Sequence, residues 1–582
     1  MNIDSAKAEN KRTVYIGMIL SILLSVIFIA GMKNAYGIGI INDEFGYWGI
    51  AASFAGKDWS ELLSTTPYYA YGYSMIVTWL YHIFDDPTVI YRVALVMNVI
   101  MIVFSFWIAY KCGKKMFPHL SSECVLLACF AITVYSNNII QAQIAWTETL
   151  LYMLYWLTFY AFLLIIEKTE TKYIIIFACL NAYMYFVHQR TLGVILTSSI
   201  MIIVLLITKK ISIKQVGFYC GIIIALLLAG ESVKTYIIET LFTSKELIAM
   251  NNYSGQFSKI SDIFHTLNGF ILLIQSILGK MFYLGAATFL IGFVSIFLLI
   301  KRVWCGGIIC MKSKFREIDK ETLVSCFLLL SFAATFMIGA IFMYQPYGRL
   351  DLLIYGRYME FAIGPLLLVG LISILDRKVK LRFYLTSIVC MIILAIIVNT
   401  IYMTLGTTSY NGICIGTLAY FFDNMLEVNS LTLQIAIVIV LASGIIWVCV
   451  CDNLCKVKKE IVNGIVIMII IVCWLKLGTY DGVFKLQRYV SNKVEKIVER
   501  IEELDISKEI YMAYDEDGYN DIAKYLQYYL PDYNVHLMDV EDFREKSGIC
   551  IVYADQIKKL DNTENIIYKD NNIVAFILDK NR

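Results

Sequence analysis

Asp43 and Glu44 stand side by side just beyond the first apolar run, in Asn42-Asp43-Glu44-Phe45-Gly46-Tyr47-Trp48. A carboxylate pair at a membrane edge is costly unless it is solvated or does work. Such a carboxylate can take a proton as a general base. It can equally be a solvated loop pair or an N-cap for the aromatic helix behind it. Glu148 follows in the short turn Gln141-Ala142-Gln143-Ile144-Ala145-Trp146-Thr147-Glu148, and His188-Gln189-Arg190 forms a second tight turn. Tyr344-Gln345-Pro346-Tyr347-Gly348-Arg349 and Tyr355-Gly356-Arg357-Tyr358-Met359-Glu360 frame a third polar segment. Acids and arginines gathered at the ends of apolar runs suit an anionic substrate carried on a lipid. Arginine holds phosphate with a bidentate fork, and Tyr or Trp stacks on sugars or sits at headgroup depth. The competing readings are an ordinary cap for Glu148, a hydrogen-bonded loop residue for His188, and headgroup anchors for Arg349 and Arg357. Gly356 leaves room for a close approach beside Arg357.

The elements that position these residues are membrane helices. Of the 582 residues 59% are hydrophobic and 16% charged, with mean hydropathy +0.68. That composition excludes a soluble globular protein. Net charge is +2, and no basic patch suits nucleic acid. Apolar runs predict thirteen spans, near 14–32, 88–110, 122–140, 146–166, 172–188, 191–208, 216–236, 281–300, 322–342, 361–376, 383–402, 431–451 and 461–478. The Tyr-rich run 68–84 is read as an interfacial helix that does not cross. With the N-terminus inside, the inner connections carry twenty-four Lys and Arg and the outer ones ten, as the positive-inside rule requires. The first span is retained rather than cleaved, since it lacks a small-residue cleavage site. Most of the fifteen cysteines fall in apolar spans as small hydrophobes. Cys414 and Cys550 fall in outer segments, which leaves a disulfide between them open.

From about Thr479 the chain turns polar. An amphipathic helix over 483–504 precedes strand 509–514, helix 520–530, strands 535–538 and 549–553, and a hairpin of 565–569 with 573–578. The expected architecture is an all-α polytopic membrane domain, 1–478, with a first outer loop at 33–87. A small extracytoplasmic α/β domain, 479–582, follows it.

This pattern resembles the GT-C glycosyltransferases, in the bacterial branch related to protein O-mannosyltransferases and aminoarabinose transferases. The residues that carry the resemblance lie within 14–376. They are the acid pair of the first outer loop, the run Pro67-Tyr68-Tyr69-Ala70-Tyr71-Gly72-Tyr73, the second acid Glu148, and Arg357-Tyr358 followed by Pro365-Leu366-Leu367-Leu368. The usual Pro-Pro-Leu-Tyr is here Pro67-Tyr68-Tyr69. The resemblance implies a polyprenyl-phosphate-sugar donor and inversion at the anomeric carbon. It casts Asp43 as base or acceptor-positioning acid and sets Arg357 against the lipid phosphate. Glu44 and Glu148 complete the candidate catalytic set. His188, Arg190, Arg349 and Tyr358 complete the phosphate-binding set. An outward site supports the same donor class, because nucleotide sugars are cytoplasmic. The departing phosphate needs arginine or a divalent cation beside it. The expected partners are that donor, membrane lipids and a cell-envelope acceptor (glycan, teichoic acid, lipid or protein), with no nucleic acid. The expected location is the plasma membrane. Abundant Lys, Ile, Asn and Tyr with six Pro suggest an AT-rich bacterial source. A flippase or polymerase of lipid-linked saccharides is the alternative. A transporter favours mid-membrane charge and inverted repeats, whereas these polar residues gather at one face.

Overall fold

The computed structural model describes residues 3–250, 257–313, 318–343, 349–405, 410–424, 430–450, 459–479, 494–504, 508–515, 518, 520–559 and 565–578. Helix α1 is Ile3–Ile29, and α2, Ile41–Phe54, carries the acid pair. α3, Pro87–Met116, starts where Asp86 accepts from the Thr88 N–H at 2.7 Å with Pro87 in the first turn. α4, Ser122–Thr133, and α5, Ser136–Ala142, meet at a 58° bend. Asn138 Nδ2 donates there to the Ile132 and Thr133 carbonyls at 3.3 and 3.2 Å, replacing helix bonds lost at the break. α6 is Thr147–Lys168, α7 Thr171–Val187 and α8 Leu192–Ile207. α9, Ile213–Leu241, opens on a Ser212–Gln215 capping box.

The apolar run 281–300, expected as one helix, is two. α10, Leu267–Ala287, and α11, Ile291–Lys312, meet at Phe289 and Leu290, both left-handed at φ 50° and 62°. Next comes α12, Lys320–Phe342. Ser276 of α10 donates to the Ala340 carbonyl near one end of α12, while Arg302 of α11 pairs with Asp319 at the other. The second part of α10 and the first part of α11 therefore run one after the other along α12. α13 (Arg357–Leu375), α14 (Leu381–Leu405), α15 (Leu431–Val450) and α16 (Lys459–Gly478) complete the bundle. Among the described residues twelve helices are long and apolar enough to cross a membrane, or thirteen if the bent pair α4–α5 is one span. Residues 68–84 form only short turns of helix, Gly72–Val77 and Thr78–His82, which do not cross.

The amphipathic run 483–504 begins outside the described residues, and 494–502 are helical. Beyond it β1 (Glu509–Ala513), β2 (Asn534–Met538), β3 (Gly548–Tyr553), β4 (Ile566–Lys569) and β5 (Ile573–Leu578) form one sheet in the order β2-β1-β3-β5-β4. β1 runs parallel to β2 and β3, and β5 is antiparallel to β3 and β4. Helix α17, Asp521–Tyr529, seats this unit on α2. The Tyr528 ring meets Trp48, Trp59 and Tyr91 edge-on, with centroids 5.9, 6.4 and 6.5 Å away. Trp59 Nε1 donates to the Pro531 carbonyl at 3.1 Å, and the Leu537 N–H donates to Glu61 at 2.7 Å. Cys414 and Cys550 are not bonded to each other. Cys414 packs with Leu352 and Tyr355, and Cys550 lies inside the sheet on β3.

Because the sheet unit sits on the first loop, the two must share one side of the membrane. Cysteines introduced at Ser53 and Ser547 should both react with an impermeant thiol reagent in intact cells. Protection of either one by the membrane would overturn this arrangement.

Candidate active site

Neighbours on a helix point about 100° apart, so Asp43 and Glu44 cannot face the same way. Glu44 turns inward. Its Oε2 accepts from the Gly39 and Ile40 N–H groups at 2.6 and 2.8 Å, and its Oε1 accepts from the Tyr91 hydroxyl at 2.6 Å. It thus satisfies backbone donors at the start of α2, the work of a cap. Glu44 is fully buried, and these bonds anchor the helix that carries Asp43. Burial pushes its carboxyl up to about 7, against the hydrogen bonds from Tyr91, Gly39 and Ile40.

Asp43 faces the opposite group. Its Oδ1 accepts from the Tyr69 hydroxyl at 2.7 Å, and its Oδ2 pairs with Arg357 Nη1. Gly46 makes this possible, since a Cβ there would lie 2.1 Å from the Tyr69 ring. Arg357, the first residue of α13, also directs Nε to Glu148 Oε1 at 2.6 Å, and its guanidinium lies 3.7 Å from the centre of the Trp146 ring. Glu148, in the first turn of α6, accepts at its Oε2 from Arg190 Nη2. The result is an alternating row, Asp43–Arg357–Glu148–Arg190. Side-chain exposure falls along it from 23% through 7% and 4% to 0%, so Asp43 is the mouth and Arg190 the floor.

His188 and Tyr358 stand around the floor. The Arg190 N–H donates to His188 Nδ1 at 3.3 Å, and the His188 ring meets Tyr358 edge-on at 5.6 Å. The Arg190 guanidinium lies 5.0 Å from the Tyr358 ring centre, and its Nε and Nη1 have no hydrogen-bond partner among the described residues. Behind Glu148 lies a chamber of about 10 Å³ lined by Asn137, Asn138, Gln141, Tyr152 and Glu360, room for a single water. Arg349 stays outside the row. It is bound to Asp351, with Nε 3.0 Å from Oδ1, and lies 3.7 Å from Cys414 Sγ. Tyr344–Gly348 lie outside the described residues. Gly356 leaves no space for a ligand, because a Cβ there would sit 2.0 Å from the Tyr283 ring. No group of three or more His, Cys, Asp or Glu among the described residues could hold a metal. Both acids of the row already face arginines, a donor set that does not fit a cation. Sequence reasoning passed over Tyr69 and Trp146 as site residues. Their only sequence signal is position, Tyr69 after Pro67 and Trp146 two residues before Glu148.

Glu44 predicts a pH dependence. Its folded-state value of about 7 exceeds the ordinary 4.5, so between those values the folded protein holds a proton that the unfolded chain gives up. Its contribution to stability is complete below 4.5 and is lost as pH rises through 7. Glu44→Gln removes this titration. Its melting temperature should gain on wild type between pH 5 and pH 8, and an equal difference at both pH values would refute the assignment.

No family model matches the chain, and no curated protein matches its sequence. Solved structures do match. Apo ArnT from Cupriavidus metallidurans aligns at TM-score 0.53 and 10% identity, covering 98% of each chain. The same protein bound to undecaprenyl phosphate aligns at TM-score 0.55 and 9% identity, covering 97% of this chain and 98% of that one. The Archaeoglobus fulgidus oligosaccharyltransferase AglB, in complex with an inhibitory peptide and a dolichol-phosphate, aligns at TM-score 0.40 and 10% identity, over 94% of this chain and 70% of that one. Through its likeness to ArnT along nearly the whole chain, the protein is a polytopic membrane protein of the GT-C fold.

Proposed function

We propose that the protein is an inverting glycosyltransferase. It moves a sugar from a polyprenyl-phosphate donor to a cell-envelope acceptor at the outer face of the cytoplasmic membrane. The observation that carries this reading is the row Asp43–Arg357–Glu148–Arg190 at the end of the bundle that bears the sheet unit. The excess of Lys and Arg in the opposite connections supports the outward orientation. That ArnT, with the same fold, was solved with undecaprenyl phosphate supports the donor class.

Arg357 binds two carboxylates through different nitrogens, and a phosphate oxygen can replace one of them on the same fork. Asp43 is the more exposed partner and the one displaced. Glu148 keeps Nε and so holds the guanidinium in aim. The freed Asp43 carboxylate takes the proton of the acceptor hydroxyl. The acceptor oxygen attacks the anomeric carbon from the side opposite the phosphate. The carbon–oxygen bond to phosphate breaks, and its electron pair leaves on the lipid phosphate beside Arg357. The base is thus uncovered only when donor is bound.

Kinetics with polyprenyl-phosphate-sugar in nanodiscs test both roles. Asp43→Asn should lower kcat by a factor of about 10² to 10⁴; undiminished turnover would remove the base. Arg357→Lys keeps the charge but cannot bridge Asp43 and Glu148 at once. A hydrogen bond to a charged group contributes about 1.5–3 kcal/mol, so donor kcat/KM should fall at least about tenfold, and further in Arg357→Ala. A lysine variant equal to wild type would move the phosphate away from Arg357. Loss of one envelope glycan in a deletion strain, read by mass spectrometry, would name the acceptor.

A further inference from the structure

A cavity of about 620 Å³ opens at the end of the bundle away from Asp43. Helix α3 gives the separation. Tyr91, near its start, touches Glu44, and Lys115, near its end, lines the cavity. The twenty-four residues between them span about 36 Å at 1.5 Å per residue, more than the roughly 30 Å of a hydrocarbon core. The cavity therefore lies at the opposite membrane surface, and its contents cannot reach the row of charges.

Its lining has two zones. The depth is apolar, with Leu298 and Leu299 from α11, Val324 from α12 and Val369 from α13. The rim carries more basic than acidic side chains, Lys115, His119, Arg302, Lys320 and Lys378 against Asp319 and Glu321. These cations share their partners. Among the described residues Glu167 is the one acid paired with both Lys115 and Lys320, at 2.6 Å from the latter. Among them Asp376 is likewise shared by His119, Lys378 and Lys459, at 2.9, 2.8 and 3.5 Å. Arg302 has two acids, Asp319 at 2.8 Å and Glu321 at 3.0 Å. On the Lys115 and Lys378 sides positive charge exceeds negative, directly above an apolar hollow between membrane helices.

We infer that this cavity is a binding site for an anionic phospholipid, its phosphate held at the Lys115–Lys320 and Lys378 rim and an acyl chain laid along Leu298, Leu299, Val324 and Val369. The match is chemical on both counts. Basic pockets between membrane helices recruit lipid phosphates, and an apolar hollow that opens between membrane helices suits a hydrocarbon chain. A free phosphate satisfies the rim but leaves the depth empty. A neutral lipid fills the depth but gains nothing from the surplus charge. The site is separate from the donor site, and it stands whether or not the protein transfers sugars.

The test uses the purified full-length chain in detergent, with native mass spectrometry against phosphatidylglycerol and phosphatidylcholine of equal chain length. Wild type should retain phosphatidylglycerol at least tenfold more strongly than phosphatidylcholine. The double variant Lys115→Gln/Lys378→Gln should lose that preference. Leu298→Trp, which fills the depth and replaces none of the charged residues, should lose the lipid while keeping the rim. Should the double variant fail to fold, Leu298→Trp decides alone. Equal retention of both lipids by wild type would overturn the proposal. So would undiminished phosphatidylglycerol on Leu298→Trp, or a rise in melting temperature with inorganic phosphate that matches the lipid's and persists in Leu298→Trp.

Discussion

The end of the bundle that bears the site depends on keeping four charges of alternating sign together, three of them out of water and Asp43 at the mouth. A buried charge without its partner typically costs about 3–5 kcal/mol, so Glu148 is held by two arginines, one on each carboxylate oxygen. Its partners arrive from separate elements: Asp43 on α2, Glu148 on α6, Arg190 on the turn before α8 and Arg357 at the head of α13. Apolar packing gives membrane helices little preference for one register over another, because lipid is as apolar as leucine. The row supplies that preference. The backbone near Glu148 is irregular, and it is satisfied by side chains: Asn98 Nδ2 reaches the Ala142 and Ile144 carbonyls at 3.1 and 2.9 Å, and Trp48 Nε1 reaches the Ala145 carbonyl at 3.2 Å.

Much of this was legible in the sequence because ionisable residues at the ends of apolar runs are rare enough to be noticed. Asp43, Glu148 and Arg357 lie hundreds of residues apart at most and still converge. What could not be read was direction. Asp43 and Glu44 are adjacent, and only the Tyr91 hydroxyl and the backbone at Gly39 and Ile40 decide which one turns inward. Arg349 and Arg357 are equally basic and stand at similar positions. Asp351, two residues along, captures the first. Tyr69 and Trp146 were hidden by their own kind, since forty tyrosines and nine tryptophans make any one of them unremarked. The break at Phe289 and Leu290 was missed because neither residue is a helix breaker; tertiary packing imposes the left-handed turn.

Both broken helices end beside the site. α5 brings Asn137, Asn138 and Gln141 to the chamber behind Glu148, and α10 brings Tyr283 against Glu360 and into the space above Gly356. Unwound backbone at membrane depth survives only where protein surrounds it. The bundle's densest polar packing therefore coincides with its least regular helices, and polar side chains such as Asn138 replace the bonds those helices lack.

The seat of Tyr528 has a consequence for how the molecule is made. Trp48 of α2 and the nearby Trp59 are covered by α17, whose residues lie some 480 positions after α2 in the chain. During synthesis the acid helix leaves the ribosome early and waits with that aromatic face uncovered until some 480 further residues have been made. A chain released short of Tyr529 inserts every apolar helix, yet it never acquires the cover over the segment that presents Asp43. Synthesis of α17 thus acts as the step that closes the mouth of the site.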